Sequence, residues 1–417
     1  MQTPEDWIRH GQELRRPLLV HESLGQKSRI CIVGGGLSGL CIAYRIGQIN
    51  PNIHIDLIEH ADRLGGVIET WKDGEWLCDV AVNATRPHPA VWRLVQDLGL
   101  QQEFSPSRKE ANSRWIWTDG TSHKLSRWTL LKMNPLKLYN GIRSSRKGGA
   151  SVGDILPNKT IADAMTLGIV NDTSHNVDAD FLMPGLTKFG PKPPIGKRKL
   201  RKEISKSYPL FSPKPGSTAS FRGGISTLTE ALISSLNQME NTAIHLNFKA
   251  ESLEHVCQEF DLKPSAIVWS AGSKTMSQSK LSVFAVGYVQ EKIKDVPIGY
   301  GTLIPDESVP ISGILHESDV HATSRAPKGH RLFRIMVPHE RWDGEEASVK
   351  RALRRILTKA DPILFSKIGE RSIPRYLPGH LQGIANKQSE CSQAGWSVSG
   401  VSITHVVDQA ERIAELF

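Results

Sequence analysis

Six residues constrain this chain more than any others: Gly34-Gly35-Gly36-Leu37-Ser38-Gly39, set between an apolar run and an apolar-periodic stretch. Ahead of them, Arg29–Val33 (RICIV) predicts a short strand buried on both faces. Behind them, Leu40–Gln48 predicts a helix, and Asn50-Pro51-Asn52 a turn. Ile53–Glu59 then alternates apolar and polar residues, as a second strand does. In a G-x-G-x-x-G so placed, each glycine has its own reason. Gly34 permits the tight turn out of the strand, Gly36 lets the backbone approach a pyrophosphate, and Gly39 lets the helix pack against the strand. Phosphate oxygens would rest on the unpaired N–H groups around Leu37 and Ser38, at the positive end of the helix. Glu59 stands twenty positions after Gly39, where a ribose 2′-hydroxyl needs an acidic partner. The expectation is a βαβ unit that binds a dinucleotide.

A second glycine segment narrows the choice of dinucleotide. Arg63-Leu64-Gly65-Gly66 follows Glu59 at once. Arg63 can make charge-assisted contacts to phosphate, and the two glycines let the chain pass close to a cofactor. This segment resembles the R-x-G-G of the flavin-containing amine oxidase and protoporphyrinogen oxidase superfamily, which lies over the pyrophosphate and flavin. Further segments are similar to the protoporphyrinogen oxidase family in particular: Phe221–Leu228 (FRGGISTL), Gly299–Pro305, Gly313–Ser318, Arg325-Ala326-Pro327, Arg331–Val337, Ile373–His380 (IPRYLPGH), and Ala394-Gly395 with Gly400–Ile403. They run in order from Ser28 to Leu416.

The resemblance implies an α/β protein: a Rossmann-like FAD-binding domain of the GR2 type, with an inserted α+β substrate domain carrying a mixed or antiparallel sheet. It implies non-covalent FAD. It also implies oxidation of a porphyrinogen, protoporphyrinogen IX or coproporphyrinogen III, to the porphyrin in haem biosynthesis, with O2 taking the electrons. In such enzymes the flavin carries the chemistry, so no acid–base triad is expected. By the same match, Gly34, Gly36, Leu37, Ser38, Gly39, Glu59, Arg63, Gly65 and Gly66 hold the ADP and pyrophosphate. Ala250 faces the adenine, and Gly400, Val401 and Ser402 lie by the isoalloxazine. Arg114 pairs with a substrate propionate, a role that suits a guanidinium. His316 stands where the family has an aromatic near the substrate. The family's E-L-G-P is Asp79-Val80-Ala81-Val82 here, and Glu390–Gln393 makes a poor lead-in strand. Such departures also suit a divergent or non-catalytic FAD-binding relative. A flavin amine or polyene oxidase is a third reading, although no aromatic pair flanks Gly400.

Composition sets outer bounds. The net charge of +9 favours an anionic partner. Five scattered cysteines with no C-x-x-C spacing suggest neither a zinc site nor a disulfide framework, and they fit a reducing compartment. The first residues, MQTPEDWIRHGQELRR, lack the apolar core of a secretory signal, and no apolar run approaches the roughly 18 residues of a spanning helix. A cytoplasmic protein is expected, with peripheral membrane contact through residues 86–216 and a homodimer both left open. The basic stretch Gly190–Lys202 reads as an exposed loop. It has no aromatics to stack bases, so no nucleic-acid partner is expected. The expected organisation is an extension (1–27), a discontinuous FAD-binding domain (28–85, 217–275, 370–417), a helical insert (86–216) and a substrate-binding sheet region (276–369).

Overall fold

The computed structural model describes residues 2–126, 134–190, 192–208, 218–272, 276–387 and 389–417. The expected joints near 216 and 275 lie outside these residues. Strands are numbered along the chain. A five-stranded parallel sheet has the order β16-β10-β1-β2-β9: Ser392–Gln393, Ile267–Trp269, Arg29–Val33, His54–Ile58 and Thr242–His245. Alternation along β1 divides its apolar residues between two faces. Ile30 and Ile32 pack against the helices Leu37–Ile49, Ser226–Leu236 and Ile403–Ala414. Cys31 and Val33 pack with Val256 and Phe260 of the Leu253–Phe260 helix. Helices on both faces make this a doubly wound unit.

The second layer is a seven-stranded sheet in the order β15-β11-β14-β13-β12-β6-β7. β11 (Gln278–Val289), β13 (Gly313–Leu315), β14 (His330–Pro338) and β15 (Leu364–Pro374) pair antiparallel, and β12 (Gly301–Leu303) pairs antiparallel with β13. β12 meets β6 (Arg114–Thr118) in parallel, and β7 (Thr121–Lys124) closes the edge. The 86–216 region is therefore not a helical insert alone. Its first helix, Pro89–Asp97, sends Ala90, Val91, Leu94 and Val95 into the core of the parallel sheet, and residues 114–124 extend the second sheet.

The extension is folded. Thr3 and Asp6 form a capping box that starts the helix Pro4–His10. Trp7 and Leu14 bury themselves against Leu200 and Ile204. Those two residues belong to a helix, Lys197–Ser207, so the basic stretch is only partly a loop. Its cations project outward because its apolar residues fall four apart on one face. Further on, the Gln393 N–H donates to the Leu19 carbonyl at 2.7 Å, covering the edge of β16. No helix among the described residues is long and apolar enough to cross a membrane.

Candidate cofactor and substrate site

At the end of β1 the glycines meet their steric reasons. Gly34 has φ +105°, and a Cβ there would lie 2.9 Å from the Ala271 nitrogen. A Cβ on Gly39 would lie 1.9 Å from the Gly34 carbonyl oxygen, so only glycine lets the helix sit this close to the strand. A Cβ on Gly36, in contrast, would meet nothing nearer than the Gly66 Cα at 3.9 Å. The second glycine segment lies directly over the first. Gly65 N–H donates to the Gly35 carbonyl at 2.9 Å, and Gly36 and Gly65 form a parallel bridge. Glu59 is buried at the end of β2. One of its carboxylate oxygens accepts from Gly35 N–H at 2.8 Å and the other from Ala61 N–H at 2.9 Å.

These residues fit a bound pyrophosphate. The Ser38 hydroxyl is buried in the first turn of the Leu37–Ile49 helix and has no protein partner. An orphaned hydroxyl at a helix N-terminus, beside a cradle kept open at Gly36, is the donor set a phosphate takes up. Arg63 sits at the rim, its side chain about half exposed, with Nη2 3.3 Å from the Gly66 carbonyl. Ala250 is half-buried against the cluster of Phe248 and Phe260.

At the far end, Gly395 (φ +85°) and Gly400 (φ +113°) bracket a tight segment that leads to Ser402 and the Ile403–Ala414 helix. The IPRYLPGH segment holds it in place. Tyr376 donates its hydroxyl to the Trp396 carbonyl at 2.8 Å, and His380 Nε2 lies 2.8 Å from the Ser397 carbonyl. The FRGG segment is likewise a joint. A Cβ on Gly224 would lie 2.3 Å from Thr70 Cγ2, so glycine lets this turn close on the hairpin of β3 (Thr70–Asp73) and β4 (Trp76–Asp79).

Gly400, Val401 and Ser402 open on a cavity of about 600 Å³ against the seven-stranded sheet. Leu281, Val283, Ile314, Met336 and Ile373 give it apolar walls. Arg15, Arg16, Arg86, Arg114, Arg334 and Arg371 also line it, against a single acid among the described lining residues, Glu13. Arg114 lies over the Tyr300 ring, 4.7 Å from its centroid, and Tyr300 in turn donates to Asn83 at 3.2 Å. Arg371 donates to the Val80 carbonyl. Burial first, then the neighbouring Arg334, brings its pKa down to about 9, so it stays cationic at neutral pH. Burial would raise the Glu13 pKa, but the positive charge of the paired Arg16 guanidinium outweighs it and keeps the group ionised. Burial and then Arg16 push His405 down to about 3, so its imidazole is neutral.

Arg114, Gly400, Val401 and Ser402 thus meet at one cavity, and the chain just ahead of Gly400 runs past the glycine loop, where a Cβ on Gly395 would lie 3.6 Å from Ser38 Oγ. His316 is a correction. It is fully buried beneath the wall, its Nε2 3.2 Å from Thr302 Oγ1 and its ring edge-on to Phe333, and it does not line the cavity. It follows the short strand β13, where its side chain turns to the core side. Burial lowers its pKa, so it is a neutral core histidine. The Asp79 that replaces the family's glutamate is buried with Glu317, His321, Arg325 and Arg334 in one ionic network. Two guanidiniums supply that network's positive charge. Sequence reasoning missed Arg15, Arg16, Arg371, Asn83 and Tyr300. Only the adjacent Arg15-Arg16 pair gave any signal, in a segment read as an extension ahead of the domain.

Residues 32–98 match the NAD(P)-binding Rossmann-like domain. Over most of its length the chain is similar to the chloroplast protoporphyrinogen oxidase 1 of Arabidopsis thaliana, with 22% identity covering 92% of this chain and 86% of the relative. A shorter match, 43% identical over 72 residues, is to the coproporphyrinogen III oxidase of Mycobacterium tuberculosis and covers 17% of this chain and 16% of that one. Among solved structures, a protein of Exiguobacterium sp. 255-15 provisionally assigned as a protoporphyrinogen oxidase superposes with a TM-score of 0.63 at 14% identity, covering 93% of this chain and 98% of that one. The fold is a Rossmann-like dinucleotide-binding unit joined to a second, mixed sheet. Over most of its length the chain is similar to protoporphyrinogen oxidases.

Proposed function

We propose that this protein oxidises a porphyrinogen to its porphyrin, with molecular oxygen as the final acceptor, as a step of haem biosynthesis. One observation carries the reading. A cavity with apolar walls and an arginine-rich lining opens at Gly400–Ser402, the segment that the family resemblance puts by the flavin. An apolar tetrapyrrole macrocycle with carboxylate arms has the matching chemistry: the ring seeks the apolar walls and the arms seek guanidiniums. FAD, when bound, supplies the hydride acceptor.

The chain's own residues bind, orient and exclude water. The glycine loops and Ser38 take the pyrophosphate, Glu59 the ribose, and Ala250 the adenine side. The backbone at Gly400–Ser402, at the positive end of the last helix, faces the ring. Arg114, on the edge-side strand β6, takes a substrate carboxylate. No side chain in the cavity needs to act as a general base. Its ionisable residues, apart from arginines, are Glu13, already paired with Arg16, His405, held neutral, and Tyr300, whose pKa burial raises.

The test is anaerobic addition of protoporphyrinogen IX, and in parallel coproporphyrinogen III, to the purified yellow protein. Bleaching of the flavin's visible band, followed by its return and porphyrin fluorescence on admitting air, is the expected result. The relative rates of the two substrates select between them. A flavin band that neither substrate bleaches would overturn the proposal and leave a non-catalytic FAD-binding relative.

A further inference from the structure

The segment ahead of β1 reaches the cavity. Gln12, Glu13, Arg15 and Arg16 line it, far in sequence from the other lining residues. Arg16 is pinned: Nε donates to Glu13 Oε2 at 3.0 Å, Nη2 to the Phe181 carbonyl at 3.1 Å, and the guanidinium lies over the Phe181 ring at 4.9 Å. Its Nη1 is buried with no partner. Arg15 is less committed. Both its Nε and its Nη1 are buried with no protein acceptor, and Glu13 acts on it only through space. Three buried guanidinium nitrogens of this adjacent pair therefore lack acceptors at the cavity. Buried charged donors are matched in proteins with few exceptions, and a planar fork with free N–H groups is matched by a carboxylate.

The other cationic point, Arg114, lies on β6 with Tyr300 and shares no partner with this pair. The cavity thus offers two carboxylate positions carried by separate elements, the segment before β1 and the strand β6. Glu13 serves the arginines rather than the ligand. It neutralises one charge of the pair and, with Phe181, fixes Arg16, which leaves Arg15 as the group free to answer a ligand.

We propose that Arg15, with Arg16 behind it, binds a substrate carboxylate separate from the one at Arg114, so that the segment before β1 belongs to the substrate site. This rests on the porphyrinogen reading above. Arg15 is a substrate-binding residue, and Glu13 and Arg16 are positioning residues.

The test uses the FAD-loaded full chain with Arg15→Gln and Arg15→Lys, not a truncation, because Trp7, Leu14, Leu19 and Leu24 are buried and their loss would unfold the protein. Steady-state KM and kcat are measured with coproporphyrinogen III and protoporphyrinogen IX. Binding of the product coproporphyrin III is titrated by fluorescence, and the flavin spectrum and melting temperature are recorded as controls. For Arg15→Gln the expected result is a KM and a porphyrin Kd raised about ten- to a hundredfold, the effect of losing a charged hydrogen bond. kcat, flavin content and melting temperature stay near wild type, and Arg15→Lys recovers part of the loss. Unchanged KM and Kd would overturn the assignment, as would loss of flavin in place of a KM effect, which would place Arg15 on the cofactor. If wild type itself neither oxidises a porphyrinogen nor binds the porphyrin, the functional reading falls, and this one with it.

Discussion

The carboxylate of Asp79, at the end of β4, accepts the backbone N–H of Ile225 at 2.8 Å and so ties the hairpin before the cavity to the turn that starts the Ser226–Leu236 helix. The same carboxylate accepts from Thr70 Oγ1 at 2.6 Å and faces the buried Arg325. Asp79→Ala removes the acceptor and leaves that guanidinium short of a counter-charge. Breaking a buried pair costs about 3–5 kcal/mol. Urea unfolding followed by circular dichroism should show a loss of that order. A loss below about 1 kcal/mol would mean that the network closes up without Asp79.

Two glycine variants separate packing from cofactor binding. Gly39→Ala drives a Cβ against the Gly34 carbonyl, which is backbone and cannot swing aside, so the helix must move off the strand. Overpacking of this kind costs about 1–3 kcal/mol, sometimes more, and both the melting temperature and the flavin content of the purified protein should fall. Gly36→Ala places its Cβ in open space, in an ordinary backbone conformation with φ −74°. The apo protein should melt as wild type does, while FAD affinity drops about tenfold or more, because the added methyl occupies the approach that the second glycine leaves to the pyrophosphate. Equal FAD affinity in Gly36→Ala and wild type would remove Gly36 from the cofactor site.

The glycine positions were legible because each requirement is local. A strand, a turn and a helix within a dozen residues fix the positive φ at Gly34 and the close approach of Gly39 to the Gly34 carbonyl. The FRGG and IPRYLPGH segments could be matched, but their work could not be seen. Gly224 yields to Thr70 and Tyr376 reaches Trp396, contacts made across the chain. Arg16 was illegible for the same reason, and its neighbour Arg15 with it: what holds Arg16 at the cavity is Phe181 and His405, which only folding brings near. His316 was misread because a motif position gives an alignment and not the side of a wall on which a side chain falls.

Arg114 tests the cavity from β6. Its guanidinium is held over Tyr300 by a cation–π contact and has no acidic partner among the described residues. Arg114→Ala should raise the KM for a porphyrinogen by about tenfold or more, as expected for a lost charged hydrogen bond, with flavin content unchanged. Arg114→Lys should recover only part of this, because an ammonium cannot reproduce the bidentate fork. A KM equal to wild type in Arg114→Ala would exclude it from substrate binding.

His10 sets a pH dependence at the opposite end of the last helix. It is buried, with Nδ1 3.0 Å from Asp408 and Nε2 3.2 Å from Glu415. Burial alone would lower its pKa, but the two carboxylates outweigh it and hold it up at about 9, against 6.5 for an ordinary histidine. The folded state therefore binds this proton more tightly than the unfolded chain does. The resulting stabilisation, about 3 kcal/mol for a shift of this size, is fully present below pH 6.5 and fades as the pH rises through 9. Wild type should thus lose urea resistance between pH 6.5 and 9.5, and His10→Gln should be less stable at pH 6.5 but nearly flat over the same interval. A wild-type curve as flat as that of His10→Gln would show that the charged histidine does not brace the amino-terminal segment against the last helix. That brace also holds the chain that carries Arg15 to the cavity, so the slope reports on the site's wall as well as on the fold.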